Sequence, residues 1–171
     1  MDFDVTQDYP VGLDRLWRVL GQPDFVERKY RALGSASLQV RHFAADAATI
    51  EVDVEREAPV ATDILPAWAR RLAGSSQTVR HHTRWTRIDR RRAQAQVEIS
   101  AVGLNVSARG TGSVIQGSPG RTRLSLHFSV HSALPGLGKR VAELFARQVR
   151  HGLAADHAFT IDYLRARTPR R

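Results

Sequence analysis

From Leu134-Pro135-Gly136 to about Arg167 the sequence reads as one uninterrupted helix, preceded by short strands and shorter helices. At 1.5 Å per residue that helix is about 45 Å long. Residues set about 100° apart place Leu137, Val141, Leu144, Phe145, Val149, Phe159, Tyr163 and Leu164 on one side. Lys139, Glu143, Arg147, Arg150 and Arg165 fall opposite. So long an apolar side needs a partner surface, and a sheet built from the preceding strands is the one available.

Those strands are readable from alternation. Asp2 to Tyr9 sets Phe3, Val5 and Tyr9 against Asp2, Asp4 and Asp8. Two short helices follow, about Leu13 to Leu20 closing at Gly21, and Pro23 to Gly34, with proline and glycine as start and stop signals. Six strand candidates come next: Ala36–Phe43, Thr49–Glu57, Gln77–Arg87, Ala93–Ser100, Asn105–Gln116 and Thr122–His131. Polar turns such as Asp89-Arg90-Arg91-Arg92 and Gly117-Ser118-Pro119-Gly120 suit antiparallel hairpins. The longer connection, residues 59–74, carries Pro59, Pro66, Trp68 and a helical turn from Ala67 to Ala73. The expected class is α+β, with a seven-stranded curved antiparallel sheet around the terminal helix.

A chain of 171 residues suits one domain, residues 1–167, with 168–171 as a frayed basic tail. With no cysteine there is no disulfide framework, zinc–thiolate site or cysteine nucleophile. Met1-Asp2-Phe3-Asp4 is unlike the basic start of a secretory signal, and no run approaches the roughly 20 apolar residues of a membrane span, so the expected location is cytoplasmic. The net charge of +9 comes almost wholly from arginine, since Lys29 and Lys139 are the only lysines. Alongside the abundant alanine this reads as a codon bias spread over a surface, so the charge is not taken as a binding site.

The order of elements resembles the START-like (SRPBCC) helix-grip superfamily over essentially the whole chain. More narrowly, Pro23-Asp24-Phe25 leading to Arg28-Lys29-Tyr30, Arg56 before Ala58-Pro59, Trp85 in mid-strand and Leu134-Pro135-Gly136-Leu137-Gly138-Lys139 are similar to an uncharacterised bacterial branch of it. The resemblance implies a cavity between sheet and helix that takes an apolar small molecule. It does not imply an activity.

Candidate site residues follow from breaks in the pattern. Gln148, Gly152 and Asp156 interrupt the apolar side of the long helix. Either Gly152 makes room for a ligand while Gln148 and Asp156 line the cavity, or Gly152 admits a bulky sheet residue and Asp156 pairs with an arginine at the mouth. On the strand from Gln77, Val79, His81, Thr83 and Trp85 share the inward face, with Arg80, His82 and Arg84 outward, opposite Glu51, Asp53 and Glu55. His81 could hold a ligand's polar group, act as acid or base, or be a satisfied core residue. Phe128, Phe145 and Phe159 complete the expected cavity wall, and Trp68 its lid. Ala108, Gly110 and Gly112 either leave cavity volume or let the sheet coil.

Other chemistry is disfavoured. His127 and His131 point outward, because Leu124, Leu126, Phe128 and Val130 take the inner face, and no third metal ligand stands at sensible spacing. No phosphate loop, nucleophile elbow or zinc-protease motif occurs. Arg90-Arg91-Arg92 and the tail arginines lack the interleaved aromatics of a single-strand platform, so nucleic acid is not an expected partner. The leading expectation is a non-catalytic, cofactor-free carrier for an apolar small molecule or lipid. A polyketide cyclase- or dehydratase-like enzyme using His81 and Asp156 is the first alternative. An interaction module with a filled core is the second.

Overall fold

A computed structural model describes residues 1–60, 63 and 66–167; within α3 the side chains of residues 68, 72 and 73 lie outside the description. The elements are β1 (Asp2–Tyr9), α1 (Leu13–Leu20), α2 (Pro23–Ala32), β2 (Leu38–Ala45), β3 (Thr49–Pro59) and α3 (Ala67–Ala73), followed by β4 (Ser76–Arg87), β5 (Arg92–Ala101), β6 (Val106–Gln116), β7 (Thr122–Ser132) and α4 (Gly138–Ala166). The class is α+β, with the expected succession of elements. Boundaries of the strands and short helices shift by up to two residues: β2 begins and ends two later than its alternation suggests, β3 runs on to Pro59, and α2 stops at Ala32.

The seven strands form one antiparallel sheet in the order β1-β7-β6-β5-β4-β3-β2. β2 to β7 pair as successive hairpins, while β1 crosses to the far edge and pairs with β7. Both ends stay open, so curvature comes from within. Its strongest cause lies between β6 and β7, where a Cβ at Gly112 would sit 1.7 Å from the Ser125 carbonyl oxygen. Only a residue with no side chain lets the two backbones approach so closely. The glycine pair therefore serves the bend: Gly110 gives its space to Phe128, whose ring would lie 2.6 Å from a Cβ there.

α4 does not lie evenly across the concave face. It packs on β7, β6 and β1 and against α2. The stripe it buries is Ala142, Ala146, Val149, Leu153, Thr160 and Leu164. This stripe is rotated from the one the large apolar residues suggest, because alanine lets the helix axis approach the sheet. Val141, Leu144 and Phe145 flank it and keep accessible surface. The second half of α4 is fastened by polar contacts. Gln7 donates to the Leu153 carbonyl at 3.0 Å and accepts from the Tyr9 hydroxyl, and Arg15 donates to the Leu164 carbonyl at 2.9 Å. The main core fills the same region, with Phe3, Leu13, Leu16, Trp17, Phe25, Trp85 and Phe128 all buried.

The outer face carries the charge, as alternation requires. Arg80 grips Asp53 through two nitrogens at 3.1 and 2.6 Å, and His82 meets Glu51 at 2.9 Å. His127 points outward to Asp4 at 2.8 Å. At the β4–β5 turn, Arg92 pairs with Asp89 and Arg91 donates to the Gly117 carbonyl. Among the described residues no helix is long and apolar enough to cross a membrane, and no group of three or more His, Cys, Asp or Glu could hold a metal ion.

Candidate functional site

Where α4 stands off from the β3–β5 half of the sheet, a cavity of about 480 Å³ opens. Its walls come from α2 (Tyr30, Leu33), β3 (Arg56, Ala58), β4 (Val79, His81), β5 and β6 (Ile99, Ala101, Val106) and the first half of α4. The 59–74 segment reaches it through Pro59, Val60, Asp63 and Ala69. The Trp68 side chain and residues 61, 62, 64 and 65 lie outside the described residues, as does the 168–171 tail.

The candidates divide into two groups. His81, Phe145, Gln148, Gly152 and Asp156 come together on the cavity wall. Trp85, Phe128 and Phe159 do not; Trp85 and Phe128 are buried in the packed core, and Phe159 is half-buried against it. Trp85 faces inward as expected, but it lies four residues from His81, about 13 Å along the strand. There Trp17 of α1 covers it edge-on, with ring centroids 6.4 Å apart. Phe128 stacks on Phe3 at 5.0 Å, and Phe159 leans on Phe25 and Tyr163 at 5.9 and 6.0 Å. Gly152 does not make room for a sheet residue. A methyl group there would meet no heavy atom within 4 Å beyond its own helical turn, so the position faces open space.

One wall is polar. Asp156 forms an ion pair with Lys29 of α2 at 2.8 Å, the side chains being 22% and 13% exposed. The expected arginine partner is thus a lysine, reaching across from a neighbouring helix. Beside it the Tyr30 hydroxyl lies 3.0 Å from His81 Nδ1. The Lys29 ammonium and the Arg56 guanidinium both sit over the Tyr30 ring, at 4.8 and 4.9 Å. Such cation–ring contacts hold charge where water is scarce. Arg56 also donates to Ser35 Oγ at 3.1 Å. Lys29, Tyr30 and Arg56 carry no expected site role, although the resemblance rests on all three. Continuing the β3 alternation of Ile50, Val52 and Val54 puts Arg56 inward, a signal present in the sequence.

The electrostatics follow from this packing. Burial, reinforced by the Lys29 charge, pulls the His81 pKa down to about 3, so the ring is neutral near pH 7. Burial raises the Tyr30 pKa and keeps its proton. Burial opposes the Lys29 charge, but its surroundings, the Asp156 carboxylate foremost, outweigh it and the ammonium titrates above its ordinary value. Burial lowers the Arg56 pKa from the ordinary arginine value, and a guanidinium stays charged regardless. A base with a pKa near 3 accepts a proton poorly at neutral pH, and Asp156 is committed to Lys29. His81 is thus paired with Tyr30 and Asp156 with Lys29.

Comparison with solved structures shows the START-like fold. The Zhui aromatase/cyclase from Streptomyces sp. R1128 matches with a TM-score of 0.60 and 14% identity, over 98% of this chain and 94% of that one. A START superfamily protein from Mycobacterium smegmatis gives 0.55 at 11% identity, over 95% and 98%. Norcoclaurine synthase from Thalictrum flavum, in complex with dopamine and hydroxybenzaldehyde, gives 0.59 at 11% identity, over 99% and 89%. At such identities the likeness is one of fold. No curated protein matches the sequence. The family described as "Protein of unknown function (DUF2505)" matches residues 4–164. The chain belongs to that family, a branch within the START-like helix-grip fold.

Proposed function

We propose that residues 1–167 act as one non-catalytic carrier or binding module, taking an apolar small molecule or lipid between α4 and the β3–β6 strands. The observation that carries this reading is Gly152. A glycine inside a helix is less favourable than alanine by about 1 kcal/mol. Here no packing neighbour uses the space it leaves. The cavity beside it, about 480 Å³, falls within the range of small-molecule sites. Leu134, Val141, Leu144 and Phe145 give it an apolar wall, while His81, Gln148 and Asp156 sit where they can orient a ligand.

The complex of norcoclaurine synthase with dopamine and hydroxybenzaldehyde supports the use of this fold for small molecules. A cyclase-like activity has less support, since His81 and Asp156 are each tied to another residue. A filled-core interaction module is disfavoured by the cavity itself. The test is native mass spectrometry of the purified protein, with solvent extraction and competition by fluorescent lipid probes. A co-purifying apolar molecule, displaced by the probes and lost in a Gly152→Trp variant, is expected. Protein that carries nothing and binds no probe overturns the carrier reading.

A further inference from the structure

Resting on the carrier reading, we propose that the ligand is an amphipathic anion whose carboxylate is received by Arg56, with its apolar tail lying along the first half of α4. Arg56 stands on the inward face of β3 and lines the cavity. One of its nitrogens donates to Ser35 Oγ. Its Nε is buried and has no hydrogen-bond partner, and among the described residues the guanidinium is in no ion pair. A guanidinium offers five donors in a rigid fork that matches a carboxylate, and burying one of those donors without an acceptor is unfavourable.

The surrounding charges sharpen the point. Lys29, the other cation of the cluster, is neutralised by Asp156. Arg80 and Arg123, on the outer face, each grip a carboxylate. The remaining carboxylate on the cavity wall, Asp63, is exposed and forms no ion pair with Arg56. Arg56 is thus a fixed positive charge at a largely apolar cavity: Asp156 acts on it only from a distance, and among the described residues no carboxylate is in ion-pair contact with it.

His81 adds a second donor. The buried Tyr30 hydroxyl has His81 Nδ1 as its hydrogen-bond partner, and donating there leaves the ring proton on Nε2. His81 and Arg56 therefore share one wall of the cavity, the second imidazole nitrogen carrying the proton when Tyr30 donates to the first. Leu134, Leu137, Val141, Leu144 and Phe145 supply apolar surface for a chain or ring system.

Isothermal titration calorimetry with dodecanoate, dodecanol and dodecylamine tests this on the full chain. Dodecanoate is expected to bind about ten- to hundredfold more tightly than dodecanol, as hydrogen bonds to a charged group imply, with dodecylamine weakest. In Arg56→Gln the acid-to-alcohol ratio should collapse towards one, and Arg56→Lys should retain part of it. Dodecanol binding the wild-type protein as tightly as dodecanoate overturns the proposal without any variant. A full preference surviving in Arg56→Gln overturns it as well. If none of the three binds wild-type protein, the carrier reading itself fails, a result distinct from loss of preference.

Discussion

Replacing Gly152 with alanine should make the protein more stable, against the usual direction for a substitution inside a folded domain. The magnitude has two parts. Alanine is favoured over glycine within a helix by about 0.8–1.0 kcal/mol. The steric part is nil, because the new methyl group meets no heavy atom within 4 Å beyond its own turn of α4. For a chain of this size 1 kcal/mol corresponds to roughly 2–4 °C in Tm. Thermal melts followed by far-UV circular dichroism, with urea titrations for the free energy, should show that rise. Gly152→Trp should abolish probe binding by filling the same space while melting at a temperature close to that of the wild type. A fall in Tm for the alanine variant would refute the reasoning. It would mean that Gly152 is packed against a neighbour and that the space beside it is closed.

Gly112→Ala should do the opposite and destabilise by about 3 kcal/mol or more, since its methyl group would overlap the Ser125 carbonyl and β6 cannot withdraw from β7 without losing the bend; chemical denaturation checks this. Lys29→Met should cost about 3 kcal/mol by leaving Asp156 without its counter-charge, and the double variant Lys29→Met/Asp156→Leu should recover most of the loss, measured as a double-mutant cycle in urea. The His81 pKa is depressed on folding, so between its ordinary value of 6.5 and about 3 the unfolded chain binds the extra proton. This contribution to stability is complete above pH 6.5 and is lost as pH falls through that window, by on the order of a few kcal/mol. In His81→Asn that part of the pH dependence should disappear from urea midpoints taken across the range.

Most of the architecture was legible because period-two alternation and turn residues act locally. The alternation of Thr49 to Glu57 fixes which side of β3 faces the core whatever packs there. Distance along an element is not local. Trp85 and His81 share a face, yet only the docking of α1, through Trp17, decides that one is sealed and the other lines a cavity. Phe128 is drawn into the core because Gly110, on the neighbouring strand, yields its space. The partner of Asp156 was hidden for the same reason: Lys29 lies in a short helix far away in sequence, and its position depends on how α2 settles against α4. Arg56 was within reach of the alternation rule, but arginine side chains are mostly solvated, and only the Tyr30 ring and Ser35 hydroxyl that receive this one explain why it is held inward.

The two halves of α4 are held in different ways. Gln7 and Arg15 hold carbonyls at Leu153 and Leu164, and His157 donates to the Asp8 carbonyl, so these anchors fall in the distal half of the helix. The proximal half borders the void and is entered through Pro135 and Gly136, the latter at φ 73°. That half is held by packing instead: Ala142, Ala146 and Val149 are buried against the sheet, while Val141, Leu144 and Phe145 keep the surface that borders the void. A ligand there would lean on side chains whose backbone is already fixed from the opposite side.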